Sequence, residues 1–587
     1  MFCCGLTHFF APDSFFLDHA LYCCRMPWRM RRKSKRVVEI SPDEIFADSS
    51  NLPEFDIDQF EGRVERPLSR RSIAGVGIFL VLLCIVYLAQ AWRLEIAQGA
   101  VFAKRALQNK LDSTILFADR GEILDRNGNV LASNVIATSS DFSARVYADY
   151  RGIAHVVGYA KPPAQDTSGT YFRESSVGVD GAEAAFDDLL AGHNGAQLTE
   201  TDASGKVVSA STIQPAENGQ TLTLSIDAPL SQGLYDAIEK QATESKFIGG
   251  AGVIMDVHTG EIIASVSWPE FPLNTLAQGS DSRAISTLLT DPRLPFLDRA
   301  VDGLYTPGSI VKPIMALGAL TEGVVSENTQ ILSTGSISVP NPYDPAHPSI
   351  FKDWRPQGYV DVRHAIAVSS DVYFYEVGGG YGTQKGIDID NIDKYFRMFG
   401  FGAPTGLTGF TESAGTIPTP AWKAVVFPGD PWRIGDTYHT SIGQYGVQVT
   451  PLQMARAVAT IANNGTLLTP TLLESGPVQG MTLPISAHNF QVVREGMRLC
   501  VDDNGTAAAV NVGFVHVAAK TGTAQLGNHN QFMNSWIVGF FPYEHPRYAF
   551  AVVLEKGPAG TLYGAPAAMA NFLGFMRDSA PQYLTDQ

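Results

Sequence analysis

Residues 305–320 read YTPGSIVKPIMALGAL and place a serine, Ser309, three residues before a lysine, Lys312. The Thr-Pro-Gly that precedes the serine breaks regular structure, and the apolar run that follows is typical of a buried helix. Pro313 is tolerated in the first turn of a helix, where its missing N–H would have no partner. The sequence therefore predicts a helix that starts within a residue of Ser309 and runs through Leu320.

The spacing of this pair has a chemical meaning. Residues i and i+3 lie on one face of a helix, so we expect the Lys312 amine to reach the Ser309 hydroxyl. A serine hydroxyl is a weak nucleophile that needs an adjacent base. A lysine amine can be that base when burial and the positive end of a helix favour its neutral form. Ser309 and Lys312 are therefore candidates for nucleophile and base.

A second pair with the same spacing, Ser349 and Lys352, lies in the segment HPSIFKDW. Proline precedes the pair and another follows it closely, and no apolar helix comes after it. Nothing in this context places the two side chains on one helical face. We therefore interpret Ser349–Lys352 as a chance match and Ser309–Lys312 as the functional pair.

Two further motifs accompany the first. Residues 369–371, Ser-Ser-Asp, place a hydroxyl and a carboxylate two positions apart. Lys520, Thr521, Gly522 and Thr523 lie in AAKTGTAQ, which reads as a β-strand. The glycine lets a ligand approach the backbone closely, and the lysine with the two threonines can hold a carboxylate. Each tripeptide is weak alone, but the ordered set matches a serine acyl-transferase signature.

An uncharged stretch of 21 residues, SIAGVGIFLVLLCIVYLAQAW, lies between Arg71 and Arg93. A helix of that length covers roughly the 30 Å hydrocarbon core of a membrane. Basic residues are enriched on its N-terminal side, which predicts a cytoplasmic N-terminus and an exported remainder. The absence of a small-residue cleavage site after the stretch favours an anchor over a cleaved signal peptide.

Charge and cysteine content limit the classes of function. The formal net charge is −16, and the excess of acidic residues lies beyond residue 92, which argues against a nucleic-acid partner. Cys500 is the one cysteine that follows the membrane stretch, so no disulfide forms within the exported part. The cysteine and histidine residues lack zinc-ligand spacing, and no metal or other cofactor is predicted.

The composition and the hydrophobic pattern of the sequence predict five segments. Residues 1–72 form a largely disordered cytoplasmic arm, 73–92 the transmembrane helix, 93–244 a β-rich domain, 245–577 an α+β domain, and 578–587 a short tail.

Within the β-rich domain, RNGNVLAS predicts a hairpin, AEAAFDDLLAG a short helix, and ASGKVVSAST and GQTLTLSIDAPL two strands. In the α+β domain, AGVIMDVHTGEIIASVSW predicts two strands joined by a tight turn. Near its end, HVAAKTGTAQ, NSWIVGFFPYE and YAFAVVLEKG predict three strands of an antiparallel sheet.

These motifs, in this order, resemble those of a class B penicillin-binding protein, in particular the elongation-type penicillin-binding protein 2. The resemblance covers most of residues 70–575. It includes FADRGEILDRNGNVLASN and GVDGAEAAFDDLLAGHNG in the first exported domain. In the second domain it includes FKDWRPQGYVDVRHAIAVSSDVYFYEV and GDTYHTSIGQYGVQVTPLQMARAVATIANNG.

The resemblance implies a fold and an activity. The implied fold is α+β: a serine β-lactamase/transpeptidase-like domain with an antiparallel sheet flanked by helices and an α-helical subdomain. One transmembrane helix and a β-rich pedestal, the dimerisation domain, precede it. The implied activity is peptidoglycan D,D-transpeptidation, a serine-type D-Ala-D-Ala acyl transfer that β-lactams inhibit. No cofactor is implied.

The resemblance also implies roles for the motif residues. Ser309 attacks the donor stem peptide between its terminal D-alanines, and Lys312 is the base for acylation. Ser369 relays protons and Asp371 holds the polar network, although the family more often has asparagine there. The carboxylate of the donor binds to three side chains of the third motif, and the backbone N–H groups of Ser309 and Thr523 form the oxyanion hole. The carboxylate-binding residues are Lys520, Thr521 and Thr523, with Gly522 between them.

Two departures from the family pattern carry expectations. Only about twenty residues separate Asn134 from His155, where longer relatives carry a pedestal head, so we expect a reduced head. Some elongation-type relatives have His and Cys around the second motif that can hold zinc. Here the matching positions are Gln357 and Ser370, so no metal is expected.

Several other functions compete with this one. A Ser-His-Asp hydrolase is disfavoured because no G-x-S-x-G is present, and a P-loop enzyme because G-x-x-x-x-G-K-[ST] is absent. A hydrolytic β-lactamase would not need the pedestal. A division-type septal transpeptidase and a catalytically silent, β-lactam-binding scaffold stay open as alternatives.

The resemblance finally implies partners and a location. The partners are peptidoglycan stem peptides, β-lactams and a membrane-embedded glycosyltransferase of the shape and elongation type. The location is the bacterial cytoplasmic membrane, spanned once, with the catalytic domain outside the cytoplasm.

Overall fold

The structure is a computed structural model that describes residues 70–99, 111–136, 140–201, 207–341, 344–502 and 504–585. The predicted cytoplasmic arm lies outside these residues except for its last three positions. The chain divides into two compact units, residues 1–102 and 103–587.

The described part of the first unit is a single long helix, α1 (Arg70–Trp92), followed by a π-helical turn, Arg93–Ala97. Residues Ile73–Ile96 are long and apolar enough to cross a membrane, and no other described helix meets that condition. The predicted span, residues 73–92, falls inside this stretch.

The second unit contains all the described strands and the other helices. The strands are β1 (Leu111–Leu116), β2 (Ile123–Leu124), β3 (Val130–Val135), β4 (Ala144–Tyr147), β5 (Ala160–Lys161), β6 (Ala164–Gln165), β7 (Tyr171–Arg173), β8 (Val177–Gly178), β9 (Gly195–Thr201), β10 (Val207–Gln214), β11 (Leu222–Thr223), β12 (Gly249–Asp256), β13 (Ile262–Trp268), β14 (Ile331–Ser333), β15 (Ser336–Val339), β16 (Ser349–Lys352), β17 (Gly358–Val360), β18 (Thr466–Leu468), β19 (Gly480–Thr482), β20 (Ala518–Leu526), β21 (Phe532–Phe541) and β22 (Tyr548–Pro558).

The helices of this unit are α2 (Ala154–Val157), α3 (Gly181–Ala185), α4 (Asp187–Leu190), α5 (Ala228–Glu244), α6 (Leu273–Gln278), α7 (Ser282–Thr290), α8 (Lys312–Thr321), α9 (Val362–Ala367), α10 (Asp371–Gly379), α11 (Asp388–Met398), α12 (Pro420–Val426), α13 (Ile434–Ser441), α14 (Pro451–Ala462), α15 (Ala487–Leu499) and α16 (Ala565–Ser579). Short 3₁₀ turns occur at Gly308–Val311, Ala508–Val510 and Pro581–Tyr583.

Four small sheets form the described β-rich region at the start of the second unit. Their strand orders are β1-β9-β10, β11-β2-β3-β4, β5-β8 and β6-β7. The predicted hairpin is present between β2 and β3, where Gly128 adopts a φ of +79°. The Asp125 carboxylate accepts the N–H groups of Asn127 and Asn129 at 2.9 and 2.8 Å and so closes the turn.

The predicted strand GQTLTLSIDAPL is wrong at its C-terminal end. Only Leu222–Thr223 is a strand, and helix α5 begins at Ala228. The Asp227 carboxylate accepts the Leu230 N–H at 2.9 Å, which caps the helix, and Pro229 fits its first turn. The capping signal therefore overrides the alternating pattern of the preceding residues.

A five-stranded antiparallel sheet, of order β13-β12-β22-β21-β20, organises the larger part of the unit. Helices α5 and α16 pack on one face, and α14 packs on the strands from the other side. Along β22, Ala549, Ala551 and Val553 join one core, whereas Phe550, Val552 and Leu554 join the other. Burial on both faces explains the continuous apolar run of this strand.

The architecture confirms the predicted α+β fold. The three C-terminal strands are antiparallel, with Thr523 of β20 opposite Ser535 of β21. The predicted pair of strands that opens the second domain is also present as β12 and β13. Strand β20 lies at the edge of the sheet, so one side of its backbone is free to face other elements.

Candidate active site

Ser309 lies in the turn that leads into helix α8. The 3₁₀ turn Gly308–Val311 continues directly into α8 at Lys312. The helical run therefore begins one residue before Ser309, within the predicted margin. Pro313 occupies the first turn of α8, where its missing N–H costs no intrahelical hydrogen bond.

Gly308 brings this turn against the edge strand β20. Its φ is +60°, and a Cβ at this position would lie 2.7 Å from the carbonyl oxygen of Thr523. Its N–H donates to the carbonyl of Gly443 at 2.9 Å. Glycine is therefore required at 308, and it fixes Ser309 between β20 and the segment that follows α13.

The Lys312 ammonium is fully buried and is held by the second motif. Its Nζ donates to Asp371 Oδ1 at 2.6 Å, to the Ser369 carbonyl at 2.7 Å and to Ser369 Oγ at 3.3 Å. The expected contact with the Ser309 hydroxyl is not formed, and the Ser309 side chain has no hydrogen bond within the described part of the chain. A carboxylate attracts an ammonium more strongly than a neutral hydroxyl does.

Ser369 connects the two lysines of the site. Its Oγ accepts hydrogen bonds from Lys520 Nζ at 2.9 Å and from Lys312 Nζ at 3.3 Å. Its φ of +58° is rare for serine. The next residue, Ser370, caps helix α10 by accepting the Tyr373 N–H at 3.2 Å. The turn before this cap aims the Ser369 hydroxyl at both ammonium groups.

Lys520 lies on strand β20, and its side chain is fully buried. Its Nζ also donates to the Thr521 carbonyl at 2.8 Å. Burial, together with the nearby Lys312 ammonium, lowers the pKa of Lys520 to about 8, although Cys500 and Asp371 oppose the shift. This lowered pKa gives Lys520 a substantial neutral fraction near pH 8.

The backbone N–H of Thr523 points away from the sheet. In a strand, the N–H and C=O of one residue face the same side. The Thr523 carbonyl accepts a hydrogen bond from Gln444 Nε2 at 3.3 Å, so this side faces Gln444 and not β21. The Thr523 N–H therefore points towards the turn that contains Ser309, as a donor to the oxyanion must.

The Thr521 side chain has a partner that the sequence did not indicate. Its hydroxyl donates to Thr506 Oγ1 at 2.7 Å. Thr506 Oγ1 in turn lies 3.2 Å from the buried Cys500 Sγ. Thr506 thereby fixes the orientation of the Thr521 hydroxyl.

These residues surround one cleft of about 990 Å³. The predicted site residues Ser309, Ser369, Asp371, Thr521, Gly522 and Thr523 line it. Lys312 and Lys520 lie behind its wall and are fully buried. The three motifs, which are far apart in the chain, therefore meet at one place.

The two S-x-x-K pairs, Ser309–Lys312 and Ser349–Lys352, differ in their local structure. Ser349 and Lys352 lie on strand β16, which pairs with β15. Residues three apart on a strand point to opposite faces, so this pair cannot act as a unit. Lys352 nevertheless lines the cleft, together with the two residues that follow it, Asp353 and Trp354.

Two further cleft residues, His439 and Gln444, are not indicated by any sequence motif. From the sequence alone, His439 is interpreted as a surface or core residue. The segment that contains both residues matches the family pattern, and that match is the available signal. His439 lies near the end of α13, and Gln444 lies in the turn that follows.

Comparisons with known proteins agree with this geometry. A family model described as the penicillin-binding protein transpeptidase domain matches residues 250–574, and one described as the penicillin-binding protein dimerisation domain matches residues 137–224. The peptidoglycan D,D-transpeptidase MrdA of Haemophilus influenzae is 30% identical over 470 residues, which are 73% of this chain and 69% of that protein.

Two solved structures are also similar. Pseudomonas aeruginosa penicillin-binding protein 2 in complex with WCK 5153 is 28% identical, with a TM-score of 0.66, and the match covers 81% of this chain and 98% of that one. A chain of a peptidoglycan synthase complex that coordinates polymerisation and crosslinking is 26% identical, with a TM-score of 0.67. That match covers 86% of this chain and 98% of the other.

The transpeptidase family model alone spans more than half of the chain. Together with the cleft that joins the three motifs, it leads to one assignment: the chain belongs to the penicillin-binding protein family of transpeptidases, class B, of the penicillin-binding protein 2 type.

Proposed function

We propose that this protein is a peptidoglycan D,D-transpeptidase that cross-links stem peptides during cell-wall elongation. The observation that carries the proposal is the buried chain Lys312–Ser369–Lys520, which lies behind the cleft that Ser309 lines. Such a chain supplies a proton path to a nucleophilic serine. The transpeptidases among the relatives support the same reaction class.

In the first half-reaction, Ser309 Oγ attacks the carbonyl carbon between the two terminal D-alanines of the donor. A serine ester forms, the peptide C–N bond breaks, and the terminal D-alanine leaves as an amine that takes up a proton. Lys312 accepts the Ser309 proton and later returns one to the leaving amine. Because Lys312 donates to Asp371 and Ser369 at rest, it must first lose a proton.

The Ser369 hydroxyl offers the route for that loss. When Lys520 is neutral, it can take the hydroxyl proton of Ser369, and Ser369 can take one from Lys312. Each transfer follows a hydrogen bond that exists in the structure. Asp371 stays in contact with Lys312 and holds its position.

The remaining groups bind and polarise the donor. The N–H groups of Ser309 and Thr523 stabilise the oxyanion, and the hydroxyls of Thr521 and Thr523 bind the terminal carboxylate. Lys520, whose side chain is buried behind the wall of the cleft, attracts this carboxylate when it is protonated. In the second half-reaction, the amine of a neighbouring stem attacks the ester, forms the cross-link and releases Ser309. A β-lactam acylates Ser309 in the same way and leaves slowly.

The proton route predicts a pH dependence. Because Lys520 has a pKa of about 8, its neutral form increases as the pH rises through 8. We expect the second-order rate constant for acylation by a penicillin to rise between pH 6 and pH 9, to reach half its maximum near pH 8 and to level off above about pH 9. Lys520→Arg, which stays protonated, should lose this rise and acylate about 10²-fold more slowly. A flat wild-type profile from pH 6 to pH 9 would exclude the route.

The close approach at Gly308 gives a second expectation. Gly308→Ala places a methyl group against the Thr523 carbonyl, so it should displace Ser309 and slow acylation by about 10²-fold. Gly323→Ala is the matched control, since Gly323 has a φ of +67° but no atom lies within 4 Å of the position that a Cβ would take. Both variants carry about 1–3 kcal/mol of backbone strain. Equal penicillin acylation by both would refute the packing argument.

The helix α1 supports a membrane location. We infer that it anchors the chain in the cytoplasmic membrane, with the basic N-terminal side inside and the catalytic domain outside. We also infer that residues 93–244 act as the pedestal and residues 245–577 as the catalytic domain. A membrane-embedded glycan polymerase is the proposed partner, because a relative of this chain belongs to a complex that coordinates polymerisation and crosslinking.

One experiment separates catalysis from a silent scaffold. The full-length chain in detergent is incubated with a stem-peptide donor that ends in D-Ala-D-Ala and an amine acceptor, and cross-linked product and released D-alanine are measured. We expect both products in stoichiometric amounts. Penicillin labelling without either product would instead favour the scaffold. A division-type role would appear as recruitment to the septum and not to the lateral wall.

A further inference from the structure

The second half-reaction needs a proton acceptor that the motifs do not supply. Stem-peptide amines are ammonium ions near neutral pH, and one proton must leave before the nitrogen can attack the ester. A second proton leaves the nitrogen when the ester bond breaks, and Lys312, neutral after it has protonated the leaving D-alanine, carries that proton to Ser309. Lys520 holds the proton it took through Ser369 and donates within the wall of the cleft, so the first proton of the ammonium needs a separate acceptor.

His439 is the cleft-lining group that fits this need. Its ring and the Ser309 hydroxyl line the same space of about 990 Å³, which leaves room for an acceptor side chain between them. Within the described residues, neither ring nitrogen has a hydrogen-bond partner. The imidazole is therefore free to receive a proton. The two carboxylates of the cleft already accept hydrogen bonds: Asp353 from Ser333 and Ser370 at 2.9 and 2.7 Å, and Asp371 from Lys312 at 2.6 Å.

The backbone that follows His439 is hydrogen-bonded to the segments that position Ser309. The His439 carbonyl accepts the Gln444 N–H at 2.9 Å, and the Gly443 carbonyl accepts the Gly308 N–H at 2.9 Å. Gln444 also donates to Thr523. Helix α13 is thus connected directly to the Ser309 turn and to the strand that supplies the second oxyanion donor.

Two aromatic side chains pack against the imidazole ring of His439 and fix its orientation. The centroids of Phe351 on β16 and Tyr375 on α10 lie 5.5 and 6.3 Å from the centroid of the imidazole. The charged groups that act on its ring are Asp436 on its own helix and Asp371 on α10, and Lys352 on β16 lines the same cleft. Burial lowers the pKa of His439, and Asp436 and Asp371 oppose this shift. Tyr375 stays neutral because burial, Asp371 and Asp353 raise its pKa.

We propose that His439 is the general base that deprotonates the acceptor amine as it attacks the Ser309 ester. This inference rests on the proposed function. The ammonium gives one proton to the imidazole, and its nitrogen attacks the ester carbon. The C–O bond to Ser309 breaks, the second nitrogen proton passes to Ser309 Oγ through Lys312, and an amide remains. His439 then releases its proton to solvent. Asp371, on the same side of the cleft, attracts the incoming ammonium.

The test separates the two half-reactions. The full-length chain is given an acyl-D-alanyl thioester as donor and a D-amino acid as acceptor, and thiol release, hydrolysis and amide formation are followed together. We expect His439→Gln to lower the ratio of aminolysis to acylation by about 100-fold. The wild-type ratio of aminolysis to acylation should also fall on acidification as His439 becomes protonated, and this acid limb of the ratio should be missing in the variant.

The matched control is His488→Gln, at an exposed histidine that pairs with Glu327 outside the cleft. It should keep the wild-type ratio and the acid limb. An unchanged ratio in His439→Gln would overturn the inference while leaving the proposed function intact. A parallel loss of acylation and aminolysis would also overturn it, because it would mean a structural role. Failure of the wild-type chain to release thiol would instead refute the proposed function.

Discussion

Ser309→Ala is expected to abolish covalent labelling by a fluorescent penicillin, because no oxygen remains at the position that faces the cleft to form the ester. Labelling is read on a denaturing gel after incubation of the full-length chain. The loss should be complete and not partial, since the nucleophile is consumed in the bond that is detected. The variant should unfold at the wild-type temperature, because the Ser309 side chain makes no hydrogen bond with the described residues.

The chain offers a matched control for this change. Ser349→Ala alters a serine with the same S-x-x-K spacing, but this serine lies on strand β16 and is exposed. It should label as wild type does. Loss of label in Ser349→Ala with retention in Ser309→Ala would reverse the assignment of the two pairs.

Lys312→Met is the second change with a large expected effect. Methionine fills the volume of the buried lysine but cannot accept the Ser309 proton, so acylation should slow by about 10²–10⁴-fold. The substitution also removes the ammonium that Asp371 contacts at 2.6 Å. Because Asp371 is partly exposed, it can be hydrated, and a moderate loss of stability is expected. The measurement is the acylation rate together with the unfolding temperature.

Lys423→Met distinguishes lost chemistry from lost stability. Lys423 is also buried and contacts Asp436 at 2.6 Å, but it lies outside the three motifs. We expect this variant to lose a similar amount of stability and still be labelled. If both variants lost labelling to the same degree, the effect of Lys312→Met would reflect folding and not proton transfer.

The helix start at Ser309 and the C-terminal strands could be predicted because local signals agree there. A breaker, an apolar run and Pro313 all favour the same boundary, and the three apolar runs near the end match a sheet buried on both faces. The strand predicted from Gly219 through Leu230 failed for a related reason. The Asp227 cap and Pro229 form a strong helix-start signal that the alternating pattern of the preceding residues obscured.

The site was predictable as a set of motifs but not as a set of contacts. Spacing placed Lys312 on the same face as Ser309, but it could not show that the carboxylate of Asp371, 59 residues away in sequence, would hold the ammonium. Thr506, Gln444 and His439 have no local signature of function. Each reaches the cleft through contacts between elements that are far apart in the chain, and no short stretch of sequence indicates such contacts.

The most direct test of the assigned nucleophile is to locate the acyl group. The full-length chain is incubated with a penicillin and digested after glutamate, which places Ser309 on the fragment 271–322 and Ser349 with Ser369 on the fragment 328–376. We expect the mass of one penicilloyl group on fragment 271–322, at Ser309 after fragmentation. An adduct on fragment 328–376, or a folded wild-type chain with no adduct, would contradict the assignment of Ser309 as the nucleophile.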